Sequence, residues 1–141
     1  MKKEESIKIP FIANKNEVPI ININLAGALY TAVVDTGSET TLFDSSVKEF
    51  LSIIGRTPYE LHTLSENHSV ISCSAEAAVR MFDVSGKPFP VVVNGDIIDF
   101  QGVREHYNNL IMIIGSDTLA QLKAKVDYKE KCLIINDLSG K

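Results

Sequence analysis

The sequence predicts a single-domain, mainly β fold with one or two short helices, and three observations predict it. At 141 residues the chain is long enough for one core. Most of its apolar residues fall in short runs that either alternate with polar residues or are continuously apolar, the patterns of half-buried and fully buried strands. Only two stretches shift to helical spacing, and both are short. Many strands and few helices make the class mainly β.

The elements follow in order. In "VPIININLAG" (18–27), Ile21, Ile23 and Leu25 share one face and Asn22 and Asn24 the other, so a half-buried strand ends at the turn Ala26-Gly27. "ALYTAVVD" is a second strand, apolar near its end and expected to be buried on both sides. The pair forms a hairpin that carries Asp35 at its tip. In "DSSVKEFLSIIG" (44–55), Val47, Phe50, Leu51 and Ile54 recur at helical spacing. Asp44 or Ser46 would cap that helix, Ser46 and Glu49 would form a capping box, and Gly55 would end it.

Residues 59–82 read as two extended arms around a polar turn, Ser65-Glu66-Asn67-His68, although "AEAA" within them favours helix. "DVSGKPFPVVVN" (83–94) gives a hairpin turn at Ser85-Gly86-Lys87 and a valine-rich strand, and 95–109 reads as loop with a short strand. "LIMII" (110–114) is a buried strand ending at Gly115. Ser116 or Asp117 then caps a helix carrying Leu119 and Leu122. "AKVDYKEKCLIIN" closes the chain with two strands around a turn at Lys129-Glu130-Lys131.

Bulk properties exclude several functions. A net charge of −4 gives no electrostatic case for nucleic acid, and Lys and Arg form no polybasic run for a membrane surface. The N-terminal "MKKEESIKIPFI" lacks the apolar core of a signal peptide, and no stretch reaches the ~18 apolar residues of a membrane span. The expectation is a complete cytoplasmic protein. Cys73 and Cys132 read as free thiols of a reducing compartment, and no spacing suggests a metal or other cofactor. Cys73 lacks the local signature of a nucleophile, and there is no G-x-S-x-G elbow for a serine hydrolase.

The chemistry concentrates in "VVDTGSETTLF" (33–43), where an acid ends an apolar strand and three small residues follow. A buried carboxylate is costly unless satisfied, so Asp35 is either a turn aspartate capping nearby amides or a functional carboxylate. Two carboxylates held together share one proton, so that the neutral acid polarises a carbonyl while the anion activates water. Asp35-Thr36-Gly37-Ser38 offers what such a site needs: a carboxylate on a strand end, a glycine that permits close approach, and hydroxyls able to orient the acid.

That stretch resembles the active-site turn of the retropepsin-like aspartic proteases, and "LIMIIGSDTL" resembles the later element of the same family, in the same order. The likeness runs over about residues 18–136. It implies a closed, barrel-like sheet with Asp35 as catalytic acid and base, Thr36 bonding across a dimer centre and Gly37 beside the substrate backbone. Ile113, Ile114 and Gly115 would support the loop from beneath. Ser38 and the flap residues Ser65, Glu66, Asn67 and His68 would contact substrate. The family's flap is usually glycine-rich, whereas this chain has no glycine between Gly55 and Gly86.

The chain holds one Asp-Thr-Gly and is too short for a two-lobed enzyme, so the shared pair requires a homodimer. The expected function is an aspartic endopeptidase acting on a peptide or protein substrate, with no cofactor or metal and no nucleic-acid or membrane partner. The competing function is an inactive peptide-binding module of the same fold. The expected organisation is an N-terminal segment 1–17 with a candidate dimer-interface strand, a protease domain 18–136 and a tail 137–141. The segments "SIKIPFI" (6–12) and "KCLIIN" (131–136) are the candidate dimer edges.

Overall fold

Ala26 and Gly27 both take positive φ (54° and 88°), a two-residue turn whose twist suits a hairpin, and the Asn24 side chain accepts the Gly27 N–H at 3.2 Å. In the computed structural model, which describes residues 6–13, 17–62, 67–100, 107 and 109–136, this turn joins β3 (Pro19–Leu25) to β4 (Ala28–Val34). They follow β1 (Ser6–Pro10) and β2 (Ile12–Ala13). Next come β5 (Leu42–Asp44), a 3-10 helix (Ser45–Phe50), β6 (Ser52–His62), β7 (Asn67–Phe82) and β8 (Pro88–Ile98). The chain continues through β9 (Leu110–Ile114), α1 (Ser116–Leu122), β10 (Ala124–Asp127) and β11 (Cys132–Asn136).

Strands β3, β4, β9, β5, β8 and β7 are hydrogen-bonded in that order, and β7 returns to β3 through Ile23↔Met81 and Leu25↔Val79. The result is a closed six-stranded barrel, which leaves those strands without a free edge along the seam. Alternation fills its interior: Ile21, Ile23, Val34, Phe43, Val79, Met81, Val93, Met112 and Ile114 are all buried. Burying each such side chain contributes about 1.5–3 kcal/mol. Residue Val33 faces the other way and joins Phe100 and Leu110 in a second, smaller cluster, so β4 is buried on both sides as its composition predicts.

A separate three-stranded sheet runs in the order β1-β11-β10. Strand β11 sits in its middle, with Ile9 opposite Leu133 on one side and Val126 opposite Leu133 on the other. Both edges of "KCLIIN" are therefore occupied within the chain, because its alternating apolar residues pair locally with the neighbouring hairpin strand and with the N-terminal strand.

Three elements differ from their sequence expectation. The helix expected over 44–55 is a 3-10 helix that stops at Phe50, and Leu51 is already extended (φ −112°, ψ 152°). Val47 is buried, but Phe50 and Ile54 are exposed, because Ile53 pairs with Ala75 and the chain enters β6. Tertiary pairing of two β-branched residues outweighs the helical spacing. Gly55 accordingly lies in a strand beside a register shift instead of capping a helix. Asp44 makes no side-chain cap bond; its buried carboxylate accepts the Phe100 N–H at 2.9 Å and the Ser46 hydroxyl.

The second difference is strand length. "AEAA" lies wholly within β7, and the short strand expected within 95–109 is not separate: β8 runs on through Gly95 to Ile98. Gly95 is required there, since a Cβ would lie 2.5 Å from the Thr41 carbonyl oxygen. Third, strand pairing continues to His62↔Asn67, so Asn67 and His68 belong to β7 and not to a turn. Ser65 and Glu66 lie outside the described residues.

The expected turn at 85–87 is present. Asp83 organises it by accepting the Ser85 and Lys87 N–H groups (2.9 and 2.8 Å) and the Ser85 hydroxyl (2.8 Å), with Gly86 at φ 85°. Among the described residues no helix is long and apolar enough to cross a membrane.

Candidate active site

Strand β9 lies between β4, which runs parallel to it, and β5, which runs antiparallel. The loop 35–41 must therefore cross over the C-terminal end of β9 to join its two neighbours. Asp35 begins that crossing. Its N–H donates to the Ile114 carbonyl at 2.9 Å, extending the pairing of Val33 with Ile113 and Val34 with Ile114. Its carbonyl accepts the Ser38 N–H at 3.1 Å, closing a tight turn. Carboxylate atom Oδ1 accepts the Gly37 N–H at 3.0 Å, and Asp35, Thr36 and Gly37 are all exposed.

Gly115 leaves β9 directly beneath the crossing. A Cβ there would lie 2.7 Å from the Ser38 oxygen and from the Thr40 carbonyl carbon and oxygen, all backbone atoms that have nowhere to move. Only glycine lets the two segments pass so closely. The constraint at Gly37 is milder: a Cβ would meet Asp35 Oδ1 at 3.3 Å. Ile113 and Ile114 hold the other side of the turn through their pairing with β4.

The Ser38 hydroxyl does not orient the Asp35 carboxylate. It donates to the Thr40 carbonyl at 2.8 Å and so braces the loop, while the Ser38 carbonyl accepts the Ser116 N–H at 2.7 Å. The backbone amide of Gly37 is the group on the carboxylate instead. Helix α1 takes Gly115, which has no side chain to cap with, as its N-cap in place of Ser116 or Asp117, and the Asp117 carboxylate accepts the first-turn Thr118 N–H at 2.7 Å from within the helix.

Asp117 is also engaged in a network that sequence reasoning missed. Buried Thr41 donates its hydroxyl to Asp117 Oδ1 at 2.7 Å, and its N–H donates to Oδ2 at 3.1 Å. The same hydroxyl oxygen accepts the Gly115 N–H at 3.0 Å. Thr41 Oγ1 also lies 2.6 Å from the buried Thr118 hydroxyl. A hydroxyl has one proton, and Thr41 spends it on a carboxylate, so Thr118 is the donor in that pair. All three hydrogen-bonding places of the Thr41 hydroxyl are filled. No spacing rule could have found this set, because 76 residues separate Thr41 from Asp117; the only visible signal was a threonine immediately before the apolar pair Leu42-Phe43.

Asp35 and Thr36 open into a cleft of about 680 Å³, within the ~300–1,000 Å³ of ordinary ligand sites. Its apolar wall includes Val33, Leu110 and Ile113 from the second cluster, and Glu17 and Tyr128 also line it. Tyr128 is fixed edge-on against Phe11, ring centres 5.9 Å apart. The β6–β7 hairpin projects past the barrel: β8 pairs with β7 only from Cys73 onward, whereas β6 pairs with it down to Asn67. Among the described residues no three His, Cys, Asp or Glu side chains gather to hold a metal. Both cysteines are free, and burial raises the Cys132 thiol above its ordinary pKa.

No family model and no curated protein matches the chain. Among solved structures, the retroviral protease-like domain of Ddi1 from Leishmania major matches with a TM-score of 0.50 at 15% identity, covering 84% of this chain and 88% of that one. A retropepsin-like aspartic protease from Rickettsia conorii matches with a TM-score of 0.49 at 20% identity, covering 96% of each chain. The six-stranded closed barrel with its short helices is thus the retropepsin-like fold.

Proposed function

From a retropepsin-like fold with Asp35 at the mouth of its cleft, we propose that the chain is an aspartic endopeptidase that works as a homodimer. One observation carries this reading: an exposed carboxylate opens onto an apolar cleft from a loop pinned at Asp35, Ser38 and Thr41. A loop held that firmly keeps a carboxylate in place during a reaction, which a surface turn has no need to do.

In the dimer, two copies of Asp35 meet on the two-fold axis and share one proton. The ionised carboxylate takes a proton from water as the oxygen attacks the scissile carbonyl. The protonated partner gives its proton to the carbonyl oxygen, and the tetrahedral adduct collapses with proton transfer to the leaving amine. Thr36 bonds across the axis, and the peptide lies along the apolar wall beside Gly37 and Ser38. The β6–β7 hairpin serves as the flap over it, and substrate contact is the role proposed for Ser65, Glu66, Asn67 and His68. The catalytic unit is 18–136, and in the three-stranded sheet the outer edges of β1 and β10 are the ones left for pairing with a second copy, since β11 is enclosed.

The test is cleavage of casein by wild type and Asp35→Asn. The amide is nearly isosteric but cannot share the proton. The variant should fold normally, bind a statine peptide and cleave at least a thousandfold more slowly, on the order of the loss for a general acid–base group. Equal activity in the two proteins would refute the proposal, and peptide binding without cleavage by wild type would favour the inactive binding module.

A further inference from the structure

Among the described residues the cleft has two charged side chains on its lining, Asp35 and Glu17, and both are acidic. Glu17 stands two residues ahead of β3, whose register sets Ile20 opposite Val33. The chain before β3 therefore runs alongside the turn that follows β4, which brings Glu17 to the same cleft as Asp35. Glu17 is exposed and holds φ 64°, a left-handed backbone that glycine would adopt without strain. The chain nevertheless carries a long carboxylate there. The same cleft has apolar wall from Val33, Leu110 and Ile113, and the ring of Tyr128, which also lines it, is fixed by Phe11.

We infer that Glu17 is a specificity residue which selects a lysine or arginine side chain in the substrate, an inference that rests on the peptidase reading above. The chemistry of the wall matches such a side chain along its length. An aliphatic stem lies on apolar surface while its charged head reaches outward. The head meets the exposed Glu17 carboxylate, the opposite charge it needs. An acidic side chain in the same place would meet two like charges and is disfavoured.

A peptide that wild type cleaves serves as parent, and lysine or norleucine replaces each of the four positions on either side of the cut. Norleucine keeps the stem and removes the charge. At one position lysine should raise kcat/KM over norleucine by roughly fivefold, the size of an ion pair at a solvent-open edge, and added salt should reduce the preference. Glu17→Gln should abolish the preference, bringing kcat/KM for the lysine peptide to that of the norleucine peptide in the same variant, and Glu17→Lys should reverse it in favour of glutamate. In parallel, statine peptides carrying lysine or norleucine at each position are titrated calorimetrically into both proteins, which reads selection without cleavage.

Norleucine cleaved as well as lysine at every position, or a lysine preference that survives Glu17→Gln, would overturn the inference and leave the peptidase reading intact. Tighter binding of a lysine statine peptide that disappears in Glu17→Gln, with no cleavage by wild type, would support the role of Glu17 in binding and refute the peptidase reading. Failure of wild type to bind any of the peptides would overturn both.

Discussion

Replacing Thr41 by valine keeps the shape of a fully buried side chain and removes its hydroxyl. Three partners lose a bond. The buried Gly115 N–H loses its acceptor at 3.0 Å, an orphaned donor that costs about 1–3 kcal/mol. The Thr118 hydroxyl loses the oxygen 2.6 Å away, about 1 kcal/mol more if it finds no substitute. Asp117 loses one donor but keeps the Thr41 N–H and is open to water, so its share is small. The extra methyl of valine returns a fraction of this, leaving a net loss of about 1.5–3.5 kcal/mol.

Thr41→Ser is the control. It keeps every hydrogen bond and removes one buried methyl, at a cost of about 1 kcal/mol. Urea unfolding followed by circular dichroism separates the two: with a slope of about 1.5 kcal/mol/M, the valine midpoint should fall by roughly 1–2 M and the serine midpoint by roughly 0.7 M. A valine variant no less stable than the serine variant would refute the assignment of Thr41 as the hydroxyl that ties the loop to α1.

Other outcomes follow from the same geometry. Gly115→Ala should destabilise the protein by about 3 kcal/mol or more, since its Cβ meets backbone on both sides of the crossing, whereas Gly55→Ala, with open space around it, should be nearly neutral in thermal unfolding. The Asp83 carboxyl is held below its ordinary pKa, chiefly by the Lys87 N–H and then by the Ser85 hydroxyl. Its contribution is present above the unfolded carboxylate value of about 3.9 and is lost as pH falls through the lower folded value. The stability gap between wild type and Asp83→Asn should therefore shrink only in strong acid, and a gap independent of pH would contradict that. In sedimentation runs with parallel assays, specific activity should fall on dilution as dimers dissociate, sooner for Thr36→Val. Full activity in a monomer would rule out the shared carboxylate pair.

Elements governed by local chemistry were legible in the sequence. The Ala26-Gly27 turn, both buried faces of β4, the "LIMII" strand and the closing hairpin all follow from period, turn residues and apolar runs. The elements that misled are those decided by remote partners. Helical spacing in 44–55 lost to the pairing of β6 with β7, and the valine strand expected to end by residue 94 runs on to Ile98 because β5 and β7 flank β8 on either side. Within the site, the position of Asp35 was readable from its motif. The hydroxyl network of Thr41, Asp117 and Thr118 was not, because a buried polar residue is justified by a partner that only the fold supplies.

The crossing of 35–41 over β9 also orders events in time. A chain emerging N-terminus first presents Asp35 long before Leu110–Ser116, yet the turn that poses the carboxylate is anchored on Ile114, Gly115 and Ser116. Until those residues arrive, Asp35 lies on an untethered hairpin end with no Ile114 carbonyl to fix its backbone. Contacts of such long separation close late and fold slowly, on the millisecond-to-second scale typical of non-local β topologies. A nascent or truncated chain ending before β9 thus has the motif without the means to hold it, and the carboxylate takes its fixed place only when the barrel is complete.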